Sequence, residues 1–256
     1  MSRSFTATIK ENLPVHATHN LLTVSVPESV PAARPGQFFM VGVNRGTDPL
    51  LKRAFSLFRR TDGCLQILYR IRGKGTGILR NMKEGTVLDM LGPLGNFYPM
   101  PSENSIPLVI AGGIGIASVF SLAEEIAGRA RVFYGARTKE DLLMLNEVKV
   151  FAKELTISTD DGSMGRKGTA ADALRTFLAS QASLSAQFCI YSCGPYPLLK
   201  AIGAISREYR IRSYVSMEEH MACGIGACLG CVVKTYDGYK SVCKEGPVMN
   251  AAEIVW

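Results

Sequence analysis

Four cysteines late in the chain constrain it more than any other feature. Cys223, Cys228, Cys231 and Cys243 stand in the spacing C-x4-C-x2-C-x11-C, and C-x4-C-x2-C with a distant fourth cysteine is the ligand spacing of plant-type [2Fe-2S] proteins. Two irons bridged by sulfides need four thiolates converging from a compact loop. Gly224, Gly226 and Gly230 alternate with those cysteines, and without a Cβ their backbone amides can approach the sulfurs closely. Hydrogen bonds of that kind help set a cluster's potential. Four cysteines can also hold zinc, which would staple the segment equally well, although zinc sites favour paired C-x2-C knuckles. A zinc-stapled binding module without enzymatic activity is therefore the reading that differs most. The chain has seven cysteines, and an odd number clustered in this way argues against a secreted disulfide framework. From Met217 onward the sequence is too short and glycine-rich to build its own core, so an inorganic staple is expected to hold it.

Two different rhythms precede that segment. Up to about residue 100, short runs alternate apolar and polar residues: Thr6–Lys10, Leu21–Val26, Gln37–Val43, Ala54–Arg59, Leu65–Arg72 and Val87–Leu91. Pro35-Gly36, Asp62-Gly63 and Glu84-Gly85 punctuate them. This pattern predicts a small antiparallel β-barrel, with one helical stretch over Thr76–Met82. Pro99–Asn104 reads as a linker. Beyond it, strands over Leu108–Ala111, Arg131–Tyr134, Thr156–Thr159, Phe188–Ser192 and Ser213–Ser216 alternate with helices. Those helices are expected over Ala117–Ala127, Leu142–Lys153, Ala170–Ala179 and Leu198–Tyr209, the order of an α/β parallel sheet covered on both faces. The fold class is thus multi-domain: an antiparallel β-barrel over residues 1–101, an α/β nucleotide domain over 102–214 and a small cysteine-rich module over 215–256.

Composition excludes several classes. Hydrophobic residues make up 47% and charged residues 20%, a globular balance unlike that of a disordered or collagen-like chain. Lys and Arg outnumber Asp and Glu by 29 to 22, a net charge of +7. The basic residues are scattered and form no binding module, so no nucleic-acid partner is expected. The N-terminal stretch lacks the apolar region of a signal peptide. Asn104–Ala123 carries no charge and is long enough to cross a membrane. Gly112, Gly113 and Gly115 interrupt it, and a strand, a turn and a helix explain it better. The protein is expected to be cytoplasmic, without membrane contact.

Four further motifs carry chemistry. Gly112-Gly113-Ile114-Gly115 lies between an expected strand and helix, where phosphates can approach unpaired amides at a helix N-terminus; a packing turn is the bland alternative. Ser192-Cys193-Gly194-Pro195 follows a later strand of the same sheet, at a carboxyl end, where ligands bind in such folds. A buried thiol beside a helix-opening proline would explain it equally well. In the barrel, Arg53-Ala54-Phe55-Ser56 combines a guanidinium, a ring and a hydroxyl, suited to a pyrophosphate and a flat ring system. Gly73-Lys74-Gly75-Thr76 opens the short helix as another anion site. Cys64 and Cys189 are assigned to the core.

This order of motifs, ending in the cysteine segment, resembles the ferredoxin-reductase superfamily of flavoproteins. Within it, the chain is similar to the electron-transfer subunits of class 1B dihydroorotate dehydrogenases. Residues 158–168, 216–231 and 242–248 carry the most specific likeness. The resemblance implies FAD across the barrel, held by Arg53, Ala54, Phe55 and Ser56 and by Leu68, Tyr69 and Arg70, with Gly75 and Thr76 at its pyrophosphate. It implies NAD on the second domain, with Gly112, Gly113 and Gly115 at the dinucleotide phosphates and Cys193, Gly194 and Pro195 near the nicotinamide. Cys223, Cys228, Cys231 and Cys243 would ligate the [2Fe-2S] cluster. The implied partner is an FMN-containing catalytic subunit that oxidises dihydroorotate to orotate in pyrimidine (UMP) biosynthesis, in a heterotetramer of two of each. Electrons would run from FMN through the cluster to FAD and leave as hydride on NAD. That route needs no acid or base on this chain, so no catalytic residue is expected. The flavin and cluster subunit of another NAD(P)H:ferredoxin or sulfide-linked reductase would share all of these motifs. Ala54 and Ser118 stand where the family commonly has proline, and Met249 where it has an aromatic residue. No acidic ribose clamp follows the second strand of the α/β pattern, where Arg137 stands instead, so NAD rests on the resemblance.

Overall fold

A computed structural model describes residues 3–44, 46–181 and 187–256; Met1 and Ser2, which open the N-terminal stretch, lie outside it. Seven strands make the first sheet: β1 (Arg3–His16), β2 (His19–Ser25), β3 (Phe38–Val41), β4 (Arg53–Ser56), β5 (Arg59–Thr61), β6 (Cys64–Arg70) and β7 (Val87–Leu94). Their order is β4-β3-β7-β1-β2-β6-β5, and every pairing is antiparallel. Inward-facing Ala7, Ile9, Leu22, Val24, Ile67 and Met90 form its core, as the two-residue period of a strand requires. β1 extends well past the expected Thr6–Lys10.

The two edge strands are consecutive in the chain, so the sheet curls until they meet. The single strand expected over Ala54–Arg59 is broken at Leu57-Phe58, where it crosses that seam. There the Leu57 N–H donates to the Gln37 carbonyl at 2.9 Å and the Phe58 N–H to the Gln66 carbonyl at 3.0 Å. Between β6 and β7 runs the short helix α1 (Lys74–Arg80). It starts earlier than the expected Thr76 because Gly73, at φ +83°, turns the chain into it.

The second sheet is built from β8 (Ile106–Gly112), β9 (Arg131–Ala136), β10 (Glu154–Thr159), β11 (Arg166–Lys167), β12 (Phe188–Cys193) and β13 (Arg212–Ser216). Helices α2 (Ile116–Glu125), α3 (Leu145–Phe151), α4 (Ala170–Ser180) and α5 (Tyr196–Tyr209) connect them. Along β8, Leu108 and Ile110 face the core shared with Leu174 and Ile202, and Val109 and Ala111 the core shared with Val119 and Phe120. Both faces are covered, as the alternation of elements predicted. From β8 the chain builds outward through β9 and β10, then returns to place β12 on the other side of β8. The β8–β12 boundary is therefore the topological switch point, where parallel sheets of this kind bind ligands.

The last residues form the hairpin β14 (Val232–Thr235) and β15 (Gly238–Ser241), a single turn α6 (Val242–Glu245) and β16 (Val248–Asn250). The expectation that Ser213–Ser216 closes the series needs correction, because β16 pairs antiparallel with β13, Val248 opposite Ser216. Cys231, Val233, Val242 and Cys243 bury themselves in the same cluster as Val215 and Met249. The segment has no core of its own and borrows that of the α/β sheet. Cys64 also departs from expectation: it is only half-buried, whereas Cys189 is buried.

Phe58, released from the barrel wall at the seam, is fully buried, with its ring 4.1 Å from that of Phe120 on α2. Beside it Arg59 pairs with Glu124 at 2.6 Å. Tyr98, also buried, donates its hydroxyl to the Ser192 carbonyl at 3.2 Å. Among the described residues, no helix is long and apolar enough to cross a membrane. Replacing Phe58 by alanine is expected to cost about 3–5 kcal/mol, read as a lower urea midpoint with an unchanged slope.

Candidate functional site

A cleft of ≈ 370 Å³ separates the barrel from the second sheet. Its barrel wall contains Ala54, Phe55 and Ser56 of β4 and Leu68, Tyr69 and Arg70 of β6. The structure thus brings together six residues that the sequence assigned to one site. The Phe55 and Tyr69 rings lie 5.6 Å apart, and the Tyr69 hydroxyl donates to Asn12 Oδ1 at 3.0 Å. Burial pushes that hydroxyl up to about 12, so it remains a neutral donor. Arg53 lies beside the cleft with its guanidinium against Gly75, where an added Cβ would meet Nε at 2.5 Å. Thr76 is committed to shaping the turn: its Oγ1 accepts from the Arg72 N–H at 2.6 Å and donates to the Gly73 carbonyl at 3.3 Å.

Ile114, Ala117, Ser118 and Ser216 form the opposite wall, and the switch point lies beside it, its glycines and Cys193-Gly194-Pro195 outside the lining. At the switch point the glycine turn after β8 and Cys193-Gly194-Pro195 after β12 meet backbone to backbone. A Cβ on Gly115 would come 2.4 Å from the Cys193 carbonyl oxygen, and one on Gly112 would come 2.9 Å from Pro195 Cδ. Two of the three glycines are therefore explained by packing. Gly113 differs: its φ is +53° and a Cβ there would meet only open space. Cys193 is buried, and its thiol is pushed well above the usual range by that burial and by the neighbouring Glu218 charge.

Met217, Glu218, Glu219 and Met221 also line the cleft, and sequence reasoning missed them. They follow the carboxyl end of β13, which was the available signal. Glu218 faces the open cleft, yet lost solvation raises its carboxyl above the ordinary range. A second omission lies further along the sheet. Asp160 and Asp161 follow β10, beside exposed Arg137 after β9, and the Asp161 N–H donates to the Arg137 carbonyl at 3.2 Å. Ser163 donates to Asp161 Oδ1 from its hydroxyl at 2.6 Å, which holds that carboxyl below its usual range. The acidic residues follow the third strand, whereas the sequence search looked after the second.

The cysteine loop folds so that amides point at sulfurs. Cys223 Sγ accepts from the Ile225 and Cys228 N–H groups, each at 3.4 Å, and these donors pull its thiol down to about 6. Cys243 Sγ accepts from the Gly226 N–H at 3.0 Å, although burial dominates and pushes this thiol up to about 12. The Cys243 N–H donates to Cys231 Sγ at 3.4 Å. Gly224 and Gly226 hold φ of +74° and +82°, values that a side chain would resist. Amide-to-sulfur contacts thus link Cys228 to Cys223 and Cys243 to Cys231, while Gly226, between Cys223 and Cys228, reaches Cys243. Among the described residues, no three His, Cys, Asp or Glu side chains converge on one metal-ion position. Gly224 also rests on the barrel, since a Cβ there would lie 2.6 Å from Met40 Cγ.

Residues 218–255 match the family model for the iron-sulfur cluster binding domain of dihydroorotate dehydrogenase B, and residues 109–203 match the oxidoreductase NAD-binding domain. Over its whole length the chain is 36% identical to the dihydroorotate dehydrogenase B (NAD(+)) electron transfer subunit of Desulforamulus reducens, covering 100% of both chains. The chain belongs to this family. The corresponding subunit of Geobacillus thermodenitrificans is 38% identical, over 86% of each chain. Among solved structures, the NADH-dependent reduced ferredoxin-NADP oxidoreductase superposes with a TM-score of 0.83 at 26% identity, covering 98% of this chain and 90% of that one. The chain therefore has the ferredoxin-reductase-like fold that the order of motifs implied.

The two kinds of glycine separate experimentally. Gly115→Ala forces a Cβ into backbone and is expected to cost about 1–3 kcal/mol. Gly113→Ala meets only backbone strain, about 1 kcal/mol, and denaturant unfolding of both variants checks the order.

Proposed function

We propose that this subunit carries electrons from a dihydroorotate-oxidising partner to NAD, with residues 1–101 holding FAD, 102–214 holding NAD and 215–256 holding a [2Fe-2S] cluster. One observation carries the reading: a single cleft is walled by Phe55 and Tyr69 of the barrel, Ala117 and Ser118 of the nucleotide sheet, and Met217 and Met221 from the approach to the cysteines. Three binding regions thus open onto one space.

In this reading Ala54, Phe55, Ser56, Leu68, Tyr69 and Arg70 hold the flavin ring system. Arg53, stacked on Gly75 at the start of α1, meets the pyrophosphate with Thr76, which keeps that turn in shape. Gly113 leaves the room through which a dinucleotide phosphate approaches, while Gly112 and Gly115 bring the β8 turn against Cys193, Gly194 and Pro195 near the nicotinamide. Asp160 and Asp161 favour NAD, because a carboxylate accepts from ribose hydroxyls and repels a 2′-phosphate. Cys223, Cys228, Cys231 and Cys243 would ligate the [2Fe-2S] cluster. When bound, the cluster passes single electrons and FAD pairs them into the hydride that NAD accepts. The chain's own residues bind, orient and separate these groups, and none is assigned as acid or base.

The partner is an FMN-containing catalytic subunit, two of each forming a heterotetramer in the cytoplasm. A set of exposed apolar side chains near the cysteines supports a protein contact there: Ile225 at 53%, Leu229 at 63%, Tyr236 at 70% and Tyr239 at 72% exposure. The likeness to a ferredoxin-NADP oxidoreductase favours, as second reading, a subunit of another NAD(P)H-linked reductase.

Co-expression with a candidate catalytic subunit decides between them. The complex is expected to contain FMN, FAD and iron, and to form NADH when dihydroorotate is added. Cys228→Ser is expected to lose the iron absorbance and at least about 100-fold of that activity, while NADH still reduces the flavin. Failure of dihydroorotate to reduce NAD in a fully loaded complex would sink the first reading.

A further inference from the structure

The chain that carries Cys243 continues as Glu245-Gly246-Pro247-Val248 into β16, and one barrel residue grips it. Asn96 lies just beyond the end of β7. Its backbone N–H donates to the Gly246 carbonyl at 2.7 Å. Its side-chain Nδ2 donates to the Glu245 carbonyl at 2.8 Å, and its Oδ1 accepts from the Val248 N–H at 3.1 Å. Gly95 makes that approach feasible, since a Cβ there would lie 2.5 Å from Pro247 Cδ and 2.6 Å from the Gly246 carbonyl oxygen. On the cysteine side, Glu245 Oε2 accepts from the Ser241 N–H at 2.5 Å, closing the single turn that contains Cys243. A rigid chain of contacts therefore runs from the barrel to a cluster ligand, and Pro247, inside the gripped stretch, lines the cleft.

We propose that Asn96 is a positioning residue for electron transfer, fixing the Cys231–Cys243 side of the cysteine module at a set distance and orientation from the flavin cleft. The inference rests on the functional reading above. Electron transfer between two cofactors makes and breaks no bond that a side chain must assist, so separation and orientation are what the protein controls. Only an amide side chain supplies a donor and an acceptor at this reach: aspartate keeps the acceptor for Val248 but sets an oxygen against the Glu245 carbonyl, and alanine keeps neither. The second point of support, Gly224 against Met40, lies beside Cys223. Loss of Asn96 therefore loosens one side of the module while the other stays seated.

The test uses the full chain loaded with FAD and cluster, as wild type, Asn96→Ala and Asn96→Asp, mixed rapidly with NADH. Each NADH delivers a hydride, two electrons, to FAD and leaves as NAD+; one of those electrons then passes to the cluster, reducing one ferric iron to ferrous. Flavin bleaching is expected to stay within about twofold of wild type in both variants, while cluster reduction slows about fivefold or more in Asn96→Ala. Amide exchange over residues 244–248 is expected to rise about tenfold in Asn96→Ala, with β8 and α2 unchanged. Intact cofactor content with cluster reduction within about twofold of wild type in both variants would overturn the proposal. So would unchanged exchange over that segment. If Asn96→Ala loses its iron, Asn96→Asp carries the comparison, and loss of iron from both would show that Asn96 retains the cluster rather than positions it. Absence of flavin and iron from the wild-type chain would instead overturn the functional reading, and the proposal with it.

Discussion

Phe58 leaves the barrel at the point where β4 becomes β5 and enters the core of the neighbouring domain against Phe120. The cleft depends on that crossing. At the crossing the Leu57 and Phe58 amides bond to Gln37 and Gln66 on either side of the seam, while the Phe58 side chain joins the core of the neighbouring sheet. Here that side chain is a large aromatic ring, and the adjoining Arg59–Glu124 pair seals the rim. Such a half-exposed pair contributes little alone, so the buried ring fixes how the two domains face each other. Phe55 and Ser56 on β4, immediately before the crossing, then face α2 across the cleft rather than bulk solvent.

The second wall is organised by close backbone contact. The turns after β8 and β12 touch through Gly112, Gly115 and Gly194, which brings two strand ends at the switch point into one surface. Behind it, Cys193 and Tyr98 are buried and neutral. The charges around the cleft, Arg70, Arg72, Glu218 and Glu219, stand along its lining. A neutral back wall with charges along the lining suits a flat, mostly apolar ring carrying an anionic tail.

What the sequence made legible was local. The cysteine spacing, the glycine turn, Cys193-Gly194-Pro195 and the Arg53–Ser56 strand each lie within one short stretch, and each has a physical reason independent of the rest. The alternation of strands and helices likewise exposed the parallel sheet. The parts that escaped depend on residues distant in sequence. Nothing near Leu57 announces that the strand breaks, because the cause is a change of partner from Gln37, just before β3, to Gln66 on β6. Val248–Asn250 is too short to be read as a strand until β13 offers its free edge. Asn96 looks like an ordinary turn residue after Gly95, and its partners lie at Glu245, Gly246 and Val248. Asp160 and Asp161 were plain in the sequence, yet their proximity to Arg137 follows only from the β9–β10 register.

The pairing of β16 with β13 bears on the order in which the protein is assembled. Ser216 opposes Val248, and the Met217 N–H donates to the Pro247 carbonyl at 2.8 Å, so the excursion that carries all four cysteines is closed at its base by backbone hydrogen bonds. Closing a loop costs entropy once, and here the sheet edge has already met that cost. Iron and sulfide therefore enter a frame whose ends are fixed, and they need only order the turns between. Maturation of the cluster can follow folding of the nucleotide domain rather than drive it, unlike in small metal-stapled domains that are unfolded until the metal arrives.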